Sequence, residues 1–268
     1  MKKLLFVMLT VLLLAACGNK EEKTAEKAEN QTLKVASLIP PMTDILEVAK
    51  PLLAKDGIDL EIVILSDNVQ PNAAVAAKEV DANLFQHQPF MKEYNKANDT
   101  NLVAIQKIYY PNMSAYSKKY DSWDAVPNGA TLAIANDASN IDRTLQLLAQ
   151  NKAITLGEKK DTYYTFNDIT DNPKKIEFKE VDLLMLARTY DEVDIVVMNP
   201  AYAAPLGLTP SKDALLQELP GNDYAIQLVT REDNQDDEAI QKLKKAITSE
   251  EVRAYLEKNF KETAVPAF

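Results

Sequence analysis

The chain has 268 residues, of which 46% are hydrophobic, and its formal net charge is −10 at pH 7. This size and apolar content suffice for one large domain or two lobes with a packed core. The acidic balance disfavours nucleic acid and anionic lipid headgroups as partners, since both are negatively charged. One cysteine cannot form a disulfide within the chain, so the fold must depend on its core.

Residues 1–16 are predicted to be a signal peptide. Lys2 and Lys3 precede an apolar run over residues 4–16, which is shorter than the roughly 20 residues that a membrane-spanning helix needs. The run ends in Leu14-Ala15-Ala16-Cys17, which is similar to the lipobox of bacterial lipoproteins. That resemblance implies a diacylglyceryl group on the Cys17 thiol and cleavage just before it. The alternative is an ordinary signal peptide cut near residue 16.

Residues 17–32 are predicted to form a lipidated, flexible tether. After the cysteine this stretch is polar and of mixed charge, so it cannot bury enough apolar surface to order itself. Two acyl chains suffice for stable membrane attachment, whereas one gives only marginal binding. We therefore expect a protein anchored by lipid on the extracytoplasmic face of the cell membrane.

The rest of the chain alternates strand-like and helix-like patterns, which predicts an α/β fold with largely parallel sheets. Such sheets bind ligands beyond the carboxyl ends of their strands. The predicted strands cover residues 33–38, 59–65, 82–85, 102–108, 113–117, 131–135, 176–180, 193–198 and 225–231. The predicted helices cover residues 43–55, 71–79, 89–98, 142–150 and 183–189, with two more near the C-terminus.

Three local signals refine the helices. Thr43 is a candidate N-cap for the first helix, and Pro51 inside that helix is expected to kink or split it. The last helix is expected to begin at Thr248-Ser249-Glu250-Glu251, which has the pattern of a capping box.

The chain is poor in catalytic groups. It has one histidine and only six glycines, and it lacks the G-x-S-x-G, glycine-rich phosphate-loop, H-E-x-x-H and calcium-loop patterns. Its many carboxylates leave a glycosidase-type pair unproven rather than excluded. We expect no enzyme activity, no cofactor and no metal site, since one histidine without a free thiol leaves only hard carboxylate ligands.

Arg143 is the first candidate for ligand binding. It is expected in the first turn of a helix that follows the polar loop Asn136-Asp137-Ala138-Ser139-Asn140. A cation is unfavourable there, whereas backbone N–H groups and the helix dipole favour an anion. A carboxylate held by both the helix start and the guanidinium resolves the conflict. The alternative is that Arg143 pairs with a surface acid or lies along the helix in water.

Two aromatic stretches are further candidates. Phe85, His87 and Phe90 lie at a predicted strand-to-helix junction, and Tyr110 lies in the loop Tyr109-Tyr110-Pro111-Asn112-Met113. The alternative is that the aromatic rings belong to the core and that His87 is only hydrogen-bonded, since aromatic stretches are core more often than pocket.

Several blocks in order resemble the NlpA/MetQ-type family of methionine-binding lipoproteins, which are solute-binding proteins of ABC importers. The blocks are Val69-Gln70-Pro71-Asn72, Asp81-Ala82-Asn83-Leu84-Phe85-Gln86-His87, Tyr116-Ser117-Lys118-Lys119, Asn136-Asp137, Asp171-Asn172-Pro173 and Ala264-Val265-Pro266. The resemblance covers residues 33–268. It implies a two-lobed periplasmic-binding-protein-like fold with a hinge, a ligand in the cleft, and a membrane permease and cytoplasmic ATPase as partners. We expect residues 33–113 plus 224–268 in one lobe and 114–223 in the other.

The resemblance also assigns roles to residues. It implies that Phe85, His87 and Phe90 line the pocket, that Arg143 grips the ligand carboxylate, and that Asn199 contacts the ligand's polar backbone. The chain departs from the family at four positions. Asn68 stands where an aromatic residue is common, Ile226 where a ligand-binding asparagine is found, and Ala138 and Asp142 where proline and glycine are found.

These observations predict a monomeric, non-enzymatic receptor for an amino acid, with methionine as the leading ligand. The side chain of the ligand is expected among Phe85, His87 and Phe90, with Tyr110 and Asn68 as further contacts. A weaker fit to methionine is expected, because the loss of an aromatic wall costs about 0.3–1.5 kcal/mol and the loss of an asparagine costs about 1.5–3 kcal/mol. One alternative is that the receptor binds another amino acid or a short peptide. The other is that the protein is a surface lipoprotein without a transport role.

Replacing Cys17 by alanine tests the anchor. The variant should stay at precursor size, because the lipoprotein route needs the Cys17 thiol, and any part of it that is cut elsewhere should leave the membrane fraction, since no acyl chains are added. Cell fractionation with immunoblotting measures both effects. Unchanged processing and membrane association, in this variant or under globomycin, would contradict the lipobox.

Overall fold

The computed structural model describes residues 31–219 and 221–268. The predicted signal peptide, Cys17 and the tether up to residue 30 lie outside the described residues. The strands are β1 Gln31–Ser37, β2 Ile58–Ile64, β3 Ala82–His87, β4 Leu102–Tyr110, β5 Ser114–Tyr116, β6 Thr131–Ala135, β7 Thr155–Leu156, β8 Ile169–Asp171, β9 Glu177–Val181, β10 Ile195–Met198, β11 Ala214–Gln217, β12 Ile226–Arg231 and β13 Val265–Pro266.

The α-helices alternate with these strands along most of the chain. They are α1 Met42–Lys55, α2 Gln70–Ala76, α3 Gln88–Asn98, α4 Ala138–Gln150, α5 Leu186–Thr189, α6 Pro200–Ala203, α7 Pro210–Asp213, α8 Glu238–Ile247 and α9 Glu250–Asn259. Short 3₁₀ turns at Phe166–Asp168, Leu183–Met185, Ala204–Leu206 and Lys261–Thr263 complete the connections.

Six strands form the first sheet, in the order β13-β4-β12-β3-β1-β2. β1 is parallel to β2 and β3, whereas β12 is antiparallel to β3 and β4. Helices α1, α8 and α9 cover one face of this sheet through a continuous buried core. Its fully buried members include Ile45, Leu46, Leu84, Leu243 and Leu256.

Five strands form the second sheet, in the order β11-β5-β10-β6-β9. β6 is parallel to β9 and β10, whereas β5 is antiparallel to β10 and β11. Helix α4 packs on this sheet with Leu145 and Leu148 against Leu132 and Ile134. Each sheet therefore has its own hydrophobic core.

The chain passes between the two sheets twice. Residues 111–113 connect β4 to β5, and residues 218–225 connect β11 to β12; we call these segments the first and second crossovers. The two-lobed α/β fold that we expected is confirmed. The expectation of largely parallel sheets is wrong, because both sheets are mixed. β12, which returns to the first sheet after the second crossover, pairs antiparallel with both of its neighbours, β3 and β4.

The predicted N-cap of α1 at Thr43 is wrong, and so is the alternative that Pro51 splits the helix. The helix begins at Met42, one residue before Thr43, and Pro41 occupies the N-cap position without a side-chain cap bond. The helix also continues through Pro51 to Lys55. The lost backbone hydrogen bond at Pro51 is offset by the buried face of the helix, which includes Ile45, Ala49 and Leu53.

Helix α4 begins four residues earlier than predicted. Asp137 caps it, because its carboxylate accepts the backbone N–H of Asn140 at 3.0 Å. Arg143 consequently lies in the second turn of α4 and not in the first. The strands β7, β8, β11 and β13 were not predicted, since runs of two to four residues show too little periodicity.

No helix in the two described ranges is long and apolar enough to cross a membrane. Nor do those ranges contain a group of three or more His, Cys, Asp or Glu side chains suited to holding a metal ion.

The start of α9 is confirmed, but its capping differs from the predicted box. Ser249 is the N-cap, and its hydroxyl accepts the backbone N–H of Val252 at 3.3 Å. Glu251 is therefore one position too early to return a bond to the cap. The Thr248 hydroxyl instead donates to the carbonyl of Lys244 at 2.8 Å, in the last turn of α8.

Replacing Ser249 by alanine should lower the free energy of unfolding by about 1 kcal/mol, because one N–H at the helix start loses its acceptor. Urea unfolding followed by circular dichroism measures the change. Thr248→Ala is the matched control, and a larger loss in that variant would contradict the assignment of Ser249 as the cap.

Candidate functional site

The carboxyl ends of neighbouring strands bring the candidate residues together. In the second sheet β6 and β10 are adjacent and parallel, so α4 with Arg143 and the turn at Asn199 start from the same edge. In the first sheet β3 ends at His87, where α3 begins, which confirms the predicted junction. The two edges face each other, since His87 contacts Asn140 of α4. This is where open α/β sheets bind ligands.

Arg143 is fully buried and lies at the centre of this region. Its Nε and Nη2 donate to the two carboxylate oxygens of Glu218 at 2.8 and 2.5 Å. Nη2 also donates to the carbonyl of Pro111 at 3.0 Å, and Nη1 donates to Oδ1 of Asn199 at 3.2 Å. The guanidinium carbon lies 4.7 Å from the centre of the Tyr224 ring. Arg143 thus binds both crossovers, since Pro111 belongs to the first and Glu218 and Tyr224 to the second.

His87 joins the two lobes as a neutral donor. Its Nδ1 accepts the backbone N–H of Phe90 at 3.2 Å, which leaves Nε2 to carry the hydrogen. Nε2 lies 3.3 Å from Oδ1 of Asn140 and donates to it. Burial, reinforced by the positive charge of Arg143, lowers the pKa of His87 from 6.5 to about 4.

Two small cavities lie between the lobes. One of about 30 Å³ is lined by Phe85, Gln86, His87, Phe90, Asn140, Leu183, Asn199, Tyr202 and Ile226. The other, of about 20 Å³, is lined by Pro41, Met42, Phe85, Tyr109, Pro111, Asn199, Ala201, Tyr202, Ile226 and Thr263. Phe85, Asn199, Tyr202 and Ile226 line both, so they form the partition. Each cavity has room for one or two waters, because a water needs about 10–15 Å³ by this measure.

The structure brings most of the predicted site residues together. Phe85, His87, Phe90 and Asn199 line the first cavity, and Arg143 lies behind Asn199. Asn68 and Tyr110 line neither cavity. Asn68 is in the turn before α2, and Tyr110 pairs with Val265 of β13, while the adjacent Tyr109 faces the second cavity.

Sequence reasoning did not single out several residues of this region. Tyr202 and Asn140 line the first cavity, and Glu218 and Tyr224 hold Arg143. Ile226 was singled out only as a departure from the family. Nothing in the local sequence marks Glu218 as a partner of a residue 75 positions away, because the pairing arises only when β11 joins the second sheet.

A second buried carboxylate lies beside this centre. Asp142 accepts hydrogen bonds from Tyr224 Oη at 2.9 Å, Gln146 Nε2 at 2.8 Å and the backbone N–H of Tyr164 at 2.7 Å. Lys159 Nζ lies 2.9 Å from the same carboxylate. Burial and the charge of Asp142 raise the pKa of Tyr224, so this phenol stays a donor. Asp142, a departure from the family glycine, therefore ties the second crossover to α4.

A larger polar groove of about 380 Å³ opens beside Asp142 and Glu218, between α3, α4 and the second crossover. Tyr163 closes one side of it and donates its hydroxyl to the carbonyl of Pro89 at 3.1 Å. This bond is a further contact between the lobes.

A family model described as NlpA lipoprotein matches residues 33–268. The chain belongs to the NlpA lipoprotein family. Among relatives of this family, the chain is similar to outer membrane lipoprotein 2 of Mannheimia haemolytica, with 39% identity over 94% of this chain and 93% of that protein. It is also similar to the D-methionine-binding lipoprotein MetQ of Salmonella typhi, with 35% identity over 95% of this chain and 93% of that protein.

The fold is also similar to that of solved structures. One is a nutrient binding protein from Burkholderia cenocepacia bound to methionine, with a TM-score of 0.84, 34% identity, and coverage of 88% of this chain and 100% of that chain. Lobes, sheets and connections are therefore those of a known solute-binding architecture.

The neutral state of His87 predicts a pH dependence of stability. The pKa is about 4 in the folded protein and 6.5 without its environment, so the unfolded chain takes up a proton first as the pH falls. The contribution is fully present above pH 6.5 and is lost progressively down to pH 4, by up to roughly 3 kcal/mol.

Urea unfolding of the wild type and of His87→Gln between pH 7.5 and 4 measures this contribution. His87 is the only histidine, and the carboxylates are common to both proteins, so the difference between the two pH profiles isolates it. The wild type should lose more stability than the variant over this range. Parallel profiles would show that His87 is not held neutral.

Proposed function

We propose that this chain is a lipid-anchored solute-binding protein that captures methionine, or a closely related zwitterionic amino acid, and delivers it to an ABC importer. The observation that carries the proposal is the buried Arg143–Asn199 contact, which lies beside an aromatic compartment at the facing edges of two lobes. The methionine named for similar proteins in this family supports the choice of ligand.

In the proposed complex the ligand carboxylate meets Nη1 of Arg143 and the amide of Asn199. Its thioether side chain rests among Phe85, His87 and Phe90, where sulfur–aromatic contacts contribute about 0.3–1.5 kcal/mol. Asn68 and Tyr110 are proposed to contact the ligand farther out in the cleft. They line neither cavity in the structure, so we assign them to the approach of the ligand rather than to its bound position.

Binding requires the partition between the two cavities to move. Pockets for small ligands measure roughly 300–1,000 Å³, whereas the cavities here measure about 30 and 20 Å³. We propose that lobe 1, residues 33–113 plus 224–268, swings away from lobe 2, residues 114–223. The crossovers act as the hinge, and closing over the ligand creates a joint surface for the permease.

The proposed location follows from the N-terminal segment. Cleavage after residue 16 leaves Cys17 as the lipidated first residue, and the tether holds a monomeric receptor on the extracytoplasmic face. The permease in the membrane and its cytoplasmic ATPase are the proposed partners. No enzyme activity is part of this function.

A different ligand is the second candidate, and Ile226 is the observation that favours it. This apolar side chain lines both cavities, where the family resemblance implies an asparagine. The loss of a hydrogen bond to a charged ligand group costs about 1.5–3 kcal/mol. Another amino acid or a short peptide that offers apolar surface to Ile226 avoids that cost. A surface lipoprotein without a transport role is the remaining alternative.

Isothermal titration against both enantiomers of each amino acid tests the proposal, after unfolding and refolding the protein to remove endogenous ligand. We expect methionine to bind and Asn199→Ala to weaken binding about 10- to 100-fold, because one hydrogen bond to a charged group is lost. Asn199 is chosen because its removal leaves the buried Arg143–Glu218 pair intact.

Asn259→Ala is the matched control, since Asn259 is exposed at the end of α9 and should leave the affinity unchanged. Full affinity in Asn199→Ala would refute the binding mode. The absence of binding by any amino acid would refute the proposed function and favour the surface lipoprotein.

A further inference from the structure

Glu218 occupies the edge of the Arg143 guanidinium that Nε and Nη2 form. Its two carboxylate oxygens accept from Nε and Nη2, and the side chains of both residues are buried, with relative exposures of 3% for Glu218 and 0% for Arg143. A guanidinium has five N–H donors. Within the described residues, Glu218, Pro111 and Asn199 accept four of them. The fifth belongs to Nη1, the nitrogen that also contacts Asn199.

This arrangement leaves a ligand a narrow choice. Glu218 accepts from Nε and from one N–H of Nη2, and the Pro111 carbonyl accepts from the other N–H of Nη2. A ligand carboxylate therefore meets Arg143 through Nη1 only. Arginine often binds a ligand carboxylate through two parallel hydrogen bonds, but here Arg143 makes that bidentate pair with Glu218 of the protein itself. The ligand therefore meets a guanidinium whose position is fixed before binding.

The pair also sets the charge of the site. No Asp, Glu, Lys or Arg among the described residues lines either cavity, and His87 is neutral at physiological pH because its pKa is lowered to about 4. The positive charge of Arg143 is compensated by Glu218 at hydrogen-bond distance. A net charge brought into such a compartment finds no charged side chain on the cavity walls and loses its hydration, which is costly at low local dielectric. An overall neutral zwitterion avoids that cost.

We propose that Glu218 is a positioning residue that determines the charge of the accepted ligand. By neutralising Arg143 and occupying its bidentate edge, it selects an overall neutral amino acid over anionic analogues that share the same side chain and carboxylate. This inference rests on the proposed function, since it assumes that the ligand binds beside Arg143.

Three ligands with one side chain test the proposal. Methionine is neutral overall, 4-(methylthio)butanoate lacks the ammonium and is an anion, and methioninamide lacks the carboxylate and is a cation when its amine is protonated. Glu218→Gln keeps a hydrogen-bond acceptor but leaves the positive charge of Arg143 uncompensated. The ratio of the Kd for the butanoate to the Kd for methionine should fall at least about tenfold in this variant, equal to about 1.4 kcal/mol. The ratio for methioninamide should rise.

Glu192→Gln is the matched control, because it removes the same charge from an exposed side chain of the second lobe. Both ratios should stay at their wild-type values in this variant. Glu218→Asp separates charge from position, since the shorter side chain keeps the charge but cannot hold both nitrogens equally. This variant should bind all three ligands more weakly but keep the wild-type ratios of their Kd values. Equal loss of affinity for all three ligands in Glu218→Gln would mean a purely structural role and would overturn the proposal.

An uncompensated buried arginine is strongly destabilising, so a second variant is needed in case Glu218→Gln does not fold. If it does not fold, the double variant Arg143→Gln with Glu218→Gln removes both charges. It should fold, bind methionine more weakly and keep the wild-type order of the three ligands; a changed order would overturn the proposal. If the wild type binds none of the three and no other amino acid, the proposed function itself fails. If it binds methionine and the ratios do not move, only the role of Glu218 fails.

Discussion

A guanidinium without access to water is the constraint around which this molecule is organised. Arg143 is fully buried, so its charge must be compensated and its donors must find acceptors inside the protein. Glu218 supplies the charge, and the carbonyl of Pro111 and the amide of Asn199 supply the further acceptors. These acceptors come from both crossovers and from the end of β10. The hydrogen bonds of this one side chain therefore hold both crossovers against the end of β10.

The two sheets are independent in their cores but not at their facing edges. Polar contacts, rather than a shared apolar core, connect them: His87 with Asn140, Tyr163 with the Pro89 carbonyl, and Tyr224 with Asp142. The two bonds between neutral groups, His87–Asn140 and Tyr163–Pro89, contribute only about 0.5–1.5 kcal/mol net each, whereas the bond from Tyr224 to the Asp142 carboxylate contributes about 1.5–3 kcal/mol. A fold with two separate cores and a hydrogen-bonded seam can open at the seam without losing either core. This is the physical basis for a cleft that admits a ligand and closes over it.

Burial also fixes the protonation states of two side chains in the cleft. His87 stays neutral because burial and the nearby Arg143 disfavour its charged form, and Tyr224 stays protonated beside Asp142. Neither group therefore changes its protonation state near neutral pH. In the partition, Phe85, Tyr202 and Ile226 supply apolar surface and Asn199 supplies a polar amide. Membership in the NlpA lipoprotein family agrees with a site that holds a solute.

Sequence and tertiary structure contributed different parts of this picture. The alternation of periodic segments determined the α/β class, the strand β6 and the junction at His87, because these depend on neighbours along the chain. The family resemblance predicted that Phe85, His87, Phe90, Arg143 and Asn199 share one site. The cap at Asp137, the mixed sheets and the positions of Asn68 and Tyr110 outside the cavities were decided by the folded chain. So was the Arg143–Glu218 pair, which joins residues 75 positions apart. Local sequence carries no record of such contacts, since they exist only once β11 and α4 pack in the same lobe.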